Sequence, residues 1–306
     1  MKLPELAETT LSNVSRRNFL RRSSVAGAAA LLAPGALLLG TKNAEAQSAD
    51  MDLAILNFAL NLEYLEAEYY LRAFTGQGLE ANGVPVTGSG TPGGVTTKPN
   101  PQVPFTTPAF QQYAREIAND ERAHVVFIRG AISAAGGQPI ARPAIDLQNS
   151  FNMLAQAAGL VPMGGTFDPF ANEVNFLLGA FIFEDVGVTA FKGAAPLILS
   201  KEVLESAAGI LAVEAYHSGL IRGNLFSLGS STQQQAAKIA ALRAQLSGAA
   251  DDQGLTDRRG LANIVPTDGN GLAFSRTTRQ VLNILYGVPN ASSGLFFPNG
   301  LNGPIR

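Results

Sequence analysis

The chain of 306 residues has only two histidines, and each one follows a glutamate by three positions. The pairs are Glu121 with His124 and Glu214 with His217. With 14 glutamates in the sequence, random placement would give both pairs in roughly 0.2 % of cases, and residues three apart share a face on a helix. The spacing therefore predicts two helices that each present one carboxylate and one imidazole toward the same point.

The hydrophobic pattern is helical along most of the chain and shows no sustained alternation typical of strands. Residues 76–104, rich in Gly, Pro and Thr, are interpreted as a long surface loop. About thirty residues separate the first two long helices from the second two, which carry few charges and are expected to be buried on most faces. Long helices are predicted over 50–74, 108–135, 169–195 and 201–228, started by Thr107, Asp168 and Ser200, and shorter ones near 149–158, 231–246 and 275–286.

This arrangement predicts an all-α fold. The long helices and the crossover between the two pairs match a ferritin-like four-helix bundle with one long crossover connection. The bundle is expected over residues 47–230, and a C-terminal helical extension over 231–306. We expect the tail to pack through Phe296 and Phe297.

A glutamate in an apolar stretch lies on the helix before each motif helix. These residues are Glu63 and Glu184, and an aromatic side chain follows each by seven positions. The order Glu, Glu-x-x-His, crossover, Glu, Glu-x-x-His is the ligand set of dinuclear carboxylate bundles. Glu66, one turn after Glu63, is the alternative ligand; otherwise Glu66 and Glu68 are expected to be solvated or to support the ligands. The candidate metal ligands are Glu63, Glu121, His124, Glu184, Glu214 and His217.

The types of donor atom and their charges restrict which metal ions can bind and how many. Four carboxylates carry a charge that two divalent ions neutralise, whereas an unpaired carboxylate in a bundle core is costly. Oxygen and imidazole donors suit iron or manganese, and the absence of cysteine excludes disulfides, thiolate sites and thiol catalysis. The predicted cofactor is therefore two divalent metal ions, iron or manganese, and the sequence assigns no catalytic residue.

Polar residues near the candidate ligands also have expected roles. Asp120 is expected either to accept a hydrogen bond from the outer nitrogen of a ligating histidine or to be exposed. Asp185 points about 100° away from Glu184 on a helix, so it is expected to support the ligands or to cap. The tyrosines expected mostly in the core are Tyr64, Tyr70, Tyr113 and Tyr216.

The first 46 residues have the composition of a targeting segment. A positively charged start, an apolar run over 25–40 and the sequence Ala44-Glu45-Ala46 match a cleaved export signal. Arg16 and Arg17, followed by Phe-Leu, resemble a twin-arginine (Tat) signal. The apolar run is shorter than the ~20 residues of a membrane span, so no stable membrane anchor is expected. We expect export by the Tat machinery, cleavage near Ala46 and a periplasmic or secreted location.

Three segments resemble a known family. Residues 61–70, 120–124 and 170–177 are similar to helices of the ferritin-like superfamily. More narrowly, they resemble Tat-exported bacterial proteins with a ferritin-like domain that are related to plant desiccation-related proteins. The resemblance covers residues 50–230 and implies a dinuclear metal site, which is specific for the superfamily but hosts many reactions.

Two classes of function follow as alternatives. One is a redox enzyme, an oxidase, ferroxidase or catalase-like protein, with O₂, peroxide or Fe²⁺ as its small substrate. The other is a non-enzymatic stress or desiccation-related protein with a structural or vestigial metal site. The long loop and the extension argue against an iron-storage cage, and the low charge is compatible with a small homo-oligomer. The net charge of −2 does not indicate nucleic-acid binding.

Overall fold

Helices dominate the computed structural model, which describes the backbone of residues 34–306 and the side chains from residue 50 onward. Two strands of two residues each, β1 (Val95–Thr96) and β2 (Ile145–Asp146), pair in parallel. The predicted all-α fold is confirmed. Within the described residues the helices are α1 (Pro34–Thr75), α2 (Pro108–Ala134), α3 (Asn149–Ala157), α4 (Glu173–Ala194), α5 (Lys201–Ser227), α6 (Ser230–Ser247) and α7 (Thr278–Tyr286).

The N-terminal prediction is only partly covered by these residues. The paired arginines of the expected Tat signal, Arg16 and Arg17, lie outside the part of the chain that the structure describes. Helix α1 begins at Pro34 rather than at residue 50, and it continues to Thr75, one residue beyond the predicted end. Residues 46–306 form one compact unit.

The helix starts agree with the sequence at two positions and differ at one. Ser200 caps α5 as predicted, because its side chain accepts a hydrogen bond from the backbone N–H of Val203. Asn172, not Asp168, caps α4, and Asp168 instead forms an ion pair with Lys98 at 2.7 Å. The prediction for Asp168 was wrong because both residues fit the capping pattern. Thr107 is the N-cap residue of α2 and Pro108 its first residue, as predicted, although the Thr107 side chain makes no capping hydrogen bond.

The side chain of Thr107 makes a tertiary contact instead of a capping hydrogen bond. Its hydroxyl and backbone N–H both donate to the carboxylate of Glu173, at 2.7 and 2.9 Å. Because Glu173 is the first residue of α4, this contact joins the starts of α2 and α4. It therefore fixes two of the helices that carry candidate ligands relative to each other.

Helix α4 is the core helix of the bundle. Residues 176–191 are all buried. Glu173–Leu197 is long and apolar enough to cross a membrane, but 89 % of its most apolar window is buried inside the protein, as expected of a core helix. The prediction that both helices of the second pair are buried on most faces is correct for α4 and wrong for α5. Helix α5 has a solvent face, on which Tyr216 is 77 % exposed.

The connection between α1 and α2 is anchored to the protein. Leu79, Val84 and Val103 are buried, and Val103 N–H donates to Ala73 O at 2.8 Å. Strand β1 lies in this connection and β2 lies in the crossover. The connection lies mostly at the surface as predicted, but the sequence did not reveal its buried anchors, because isolated apolar residues between glycines and prolines have no periodicity.

The C-terminal extension packs against the bundle. Phe296 and Phe297 are buried, as predicted. Asn61 on α1 donates to the backbone of Asn302 at 2.9 Å. Helix α1 and the C-terminal tail therefore contribute to the same folded core.

Buried ion pairs also join the extension to α4 and α5. Arg222 and Arg243 both donate to Asp185 on α4, at 2.8 and 2.6 Å. This places Asp185, the residue after Glu184, in an ionic cluster rather than at a cap. Three positive and three negative groups balance, which buried charges require. The cluster consists of Arg222, Arg243, Arg276, Asp185, Asp251 and Asp252.

Candidate metal centre

The six candidate ligands converge on one buried point. Their donor atoms form two overlapping groups, and within each group the atoms lie within 4.8 Å of one another. Glu121 belongs to both groups. The first group is Glu63 from α1, Glu121 and His124 from α2 and Glu214 from α5; the second is Glu121, Glu184 from α4 and His217 from α5.

Both imidazoles turn the same ring nitrogen toward the carboxylates. His124 Nδ1 lies 3.2 Å from Glu63 Oε2 and 3.7 Å from Glu121 Oε2. His217 Nδ1 lies 3.1 Å from Glu121 Oε1 and 3.7 Å from Glu184 Oε2. Each histidine therefore faces a carboxylate of its own and one oxygen of the shared Glu121.

Two neighbours hold these ligands in place. Asp120 Oδ2 lies 3.2 Å from His217 Nε2, the outer nitrogen, as one of the two alternatives for Asp120 predicted. Such a contact orients a ligating imidazole and favours the form with a free inner nitrogen. The hydroxyl of the buried Tyr70 donates to Glu184 Oε1, which leaves Glu184 Oε2 facing the cluster.

Buried polar atoms without partners are concentrated in this cluster. Both oxygens of Glu63, Glu121 and Glu214 have no well-aligned hydrogen-bond partner, and neither has Nδ1 of the two histidines. Leaving one buried group unsatisfied costs about 1–3 kcal/mol. Divalent cations would satisfy these atoms together, and a set of carboxylate oxygens and imidazole nitrogens suits iron or manganese. The residues present therefore fit a metal centre.

Without metal, the cluster shifts the proton affinity of its members. Burial raises the pKa of Glu63 to about 7 and that of Glu184 to about 8, although a nearby imidazolium opposes each shift. Burial would also raise the pKa of Glu121, but the imidazolium groups of His124 and His217 beside it outweigh burial and lower that pKa to about 2. Burial disfavours both imidazolium ions, yet the facing carboxylates raise their pKa values to about 11 and about 10. Protons thus occupy the atoms that metal ions would bind.

Glu66 lies beside this cluster but belongs to neither ligand group. Its side chain is buried and its Oε2 has no partner; burial, and next the charges of Glu121 and Glu63, hold its pKa well above the usual range. Gly187 on α4 makes room for two carboxyl groups. A Cβ at position 187 would overlap Glu214 Oε2 and would lie 3.3 Å from Glu66 Oε1. The sequence treated Glu66 as the alternative to Glu63, and the structure includes Glu63 in a ligand group and leaves Glu66 outside both groups.

Other polar neighbours differ from expectation. Glu68 is neither solvated nor in contact with the cluster; it is buried and forms ion pairs with Arg72 and Arg142. Tyr64 and Tyr70 are core residues as predicted. Tyr113 is half-buried and Tyr216 exposed, because they lie on the solvent sides of α2 and α5. The sequence signal that could have indicated the burial of Glu68 is its position amid apolar and aromatic residues on α1.

Comparison with known proteins agrees with this geometry. A family model described as a ferritin-like domain matches residues 51–227. The chain belongs to the ferritin-like family. This ferritin-like protein is 32 % identical over 248 residues to the desiccation-related protein PCC13-62 of Craterostigma plantagineum, a match that covers 76 % of each chain. It is 27 % identical over 277 residues to the ferritin-like catalase Nec2 of Nesocodon mauritianus, covering 84 % of this chain and 85 % of the relative.

The comparisons confirm the predicted resemblance to the ferritin-like superfamily. Together with the buried carboxylate and histidine cluster, they support a metal-binding role connected with oxidative stress. Both relatives match this chain over most of their length.

Proposed function

We propose that this ferritin-like protein holds two iron or manganese ions and uses them to consume hydrogen peroxide. The observation that carries the proposal is the pair of ligand groups that share Glu121, each with its own inward-facing histidine. The similarity to a ferritin-like catalase supports peroxide as the substrate.

Each side of the cluster would hold one ion. Glu63 and His124 would bind the first, Glu184 and His217 the second, and Glu121 both. When bound, two such ions exchange two electrons with the O–O bond, so that two molecules of hydrogen peroxide give one dioxygen and two waters.

The protein supplies orientation, charge balance and exclusion of water. Tyr70 restrains Glu184, and Asp120 restrains His217 through the outer ring nitrogen. Glu214 supplies a fourth carboxylate among the candidate ligands, so that two divalent ions leave the set neutral. The carboxylates are buried, and a site closed to bulk water strengthens each electrostatic contact with the substrate.

Metal content and peroxide consumption test this proposal together. We expect about two iron or manganese ions per chain, as the dinuclear ligand set requires, and dioxygen release from peroxide at an oxygen electrode. Glu121→Ala/Glu214→Ala should lose both the metal and the activity. Glu116→Ala, at an exposed position on α2, is the matched control and should keep both. A wild-type protein that contains no transition metal, and gains none on reconstitution, would refute the proposal.

A second candidate function has support from the other relative. The similarity to a desiccation-related protein, together with the unsatisfied carboxylates, favours a stress protein whose metal ions lock the bundle. In that case the loaded protein would melt well above the metal-free protein but would release no dioxygen from peroxide. The same two measurements therefore separate the two functions.

We also propose export through the Tat machinery to the periplasm, with cleavage near Ala46. The support is the sequence alone: the paired arginines, the apolar run and the small residues that follow it. Replacing Arg16 and Arg17 by lysine should abolish export, and the exported wild-type protein should begin near residue 47. Export of the lysine variant at the wild-type level would contradict this proposal.

A further inference from the structure

A narrow crevice enters the bundle between α1, α4 and α5. Its volume is about 30 Å³, which accommodates about two water-sized molecules at the ~10–15 Å³ that each one needs. Its lining is entirely apolar and includes Ala59 and Leu62 of α1, Ala190 of α4 and Ala207 of α5. No charged or polar side chain lines it.

The helix positions place Glu66 beyond the inner end of this crevice. Leu62 lines the crevice, and Glu66 follows it by four residues, one turn further along the same face of α1. On α4, Gly187 precedes the lining residue Ala190 by three residues. A Cβ at Gly187 would lie 3.3 Å from Glu66 Oε1, so this carboxyl group lies about one helical turn beyond the lining residues of both α1 and α4.

The solvent exposure of the glutamates agrees with a position of Glu66 at the edge of the cluster, on the side of the crevice. Glu66 is 4 % exposed, whereas Glu63, Glu121 and Glu214 are completely inaccessible. Glu66 Oε2 is nevertheless buried and has no hydrogen-bond partner. Glu66 is thus a polar group at the boundary between the metal-binding cluster and a passage that is otherwise apolar.

A second opening reaches a different part of the cluster. A groove of about 860 Å³ between α2 and α5 is lined in part by Tyr113, Tyr216 and His217. On this side the outer nitrogen of His217 pairs with Asp120. The imidazole ring therefore stands between this groove and the inward-facing Nδ1.

We propose that the apolar crevice is the passage by which small uncharged molecules with an O–O bond, dioxygen or hydrogen peroxide, enter or leave the metal centre, and that Glu66 is the polar group at its inner end. A lining without oxygen ligands cannot replace the water around Fe²⁺, so the passage excludes that ion. The proposal rests on the proposed function, because it assumes a metal centre behind Glu66.

Xenon binding tests the passage without any metal. Xenon occupies empty apolar cavities, so crystals of the metal-free wild-type protein under xenon pressure should show an atom beside Ala59 and Ala207. Ala207→Leu should abolish xenon binding in the crevice. If this variant does not fold, Ala59→Leu should have the same effect. Ala212→Leu, which narrows the groove between α2 and α5 instead, should keep the xenon atom. A wild-type crevice without xenon would overturn the proposal.

Reaction rates test the passage in the loaded protein. The iron(II)-loaded protein is mixed in a stopped-flow instrument with dioxygen in one arm and with hydrogen peroxide in the other. We expect Ala207→Leu to slow one or both reactions by at least about tenfold, a large effect on a rate, at unchanged iron content. Ala212→Leu should react like the wild type. The slowed arm identifies the molecule that uses the passage.

The outcomes separate the passage from the proposed function. Equal rates in the wild type and Ala207→Leu would overturn the passage even if peroxide is consumed. A protein that binds no metal would refute the proposed function. Xenon in the wild-type crevice, and its loss in Ala207→Leu, would still support the passage in that case.

Discussion

Glu66 and Glu68 lie two residues apart on α1, but loss of their charge should have opposite effects on stability. Glu66 Oε2 has no hydrogen-bond partner, so Glu66→Met removes an unsatisfied buried group and should stabilise the metal-free protein by about 1–3 kcal/mol. Glu68 is paired with Arg142 and Arg72. Glu68→Met leaves the buried guanidinium of Arg142 without that carboxylate, at a cost of about 3–5 kcal/mol.

Thermal unfolding of the metal-free variants at neutral pH measures both effects. At about 2–4 °C per kcal/mol for a domain of roughly this size, Glu66→Met should raise the melting temperature by about 2–12 °C. Glu68→Met should lower it by about 6–20 °C on the same scale. The two variants carry the same chemical change on one helix, so each is the control for the other. A fall in melting temperature for Glu66→Met would refute the argument, because it would show that Glu66 has a stabilising partner.

Three further changes test the metal centre. The pKa values of Glu63 and Glu184 are about 7 and about 8 in the metal-free fold, above the ordinary 4.5. The protonated carboxyls therefore contribute fully to the stability of the metal-free fold below pH 4.5. This contribution to the free energy of unfolding is lost as the pH rises through 7–8, by up to about 1.4 kcal/mol per group per pH unit. Melting curves should show the metal-free protein weakening from pH 5.5 to 8, while metal affinity increases. Gly187→Ala should lower metal occupancy, measured by elemental analysis, because its methyl group takes the space of a ligand carboxylate. Asp120→Ala should weaken metal binding about 10- to 100-fold in competition with a chelator, whereas Glu116→Ala should not.

Spacing within a helix accounts for most of what the sequence predicted. A Glu-x-x-His motif fixes two side chains on one face, so both motifs could be recognised before any tertiary contact was known. Spacing within the helix could not decide whether Glu63 or Glu66 is the ligand. That choice depends on how α1 is rotated against α2 and α4, and no local pattern encodes that rotation. The structure places Glu63 in a ligand group and Glu66 beside it, because both residues share a face of α1.

Contacts between distant residues account for most of what the sequence did not predict. Asp185 and Arg243 are 58 residues apart and lie in different helices, so their ion pair has no local signature. The burial of Val103 in the first connection depends likewise on the folded helices around it. The start of α4 was missed for a local reason, since Asp168 and Asn172 are both good caps and only the packing of the chain selects the second.

The buried ion pairs of Asp185 also impose an order on biosynthesis. Asp185 follows the candidate ligand Glu184, but its partner Arg243 and the arginine at 276 are synthesised later. At about 5–20 residues per second, the ribosome needs roughly 3 to 12 s to proceed from residue 185 to residue 243. During that interval α4 carries a charge that no arginine of the extension neutralises. The metal-binding half of the chain therefore acquires its final support only after translation is almost complete, and ribosome-bound chains that end before residue 243 should not retain metal.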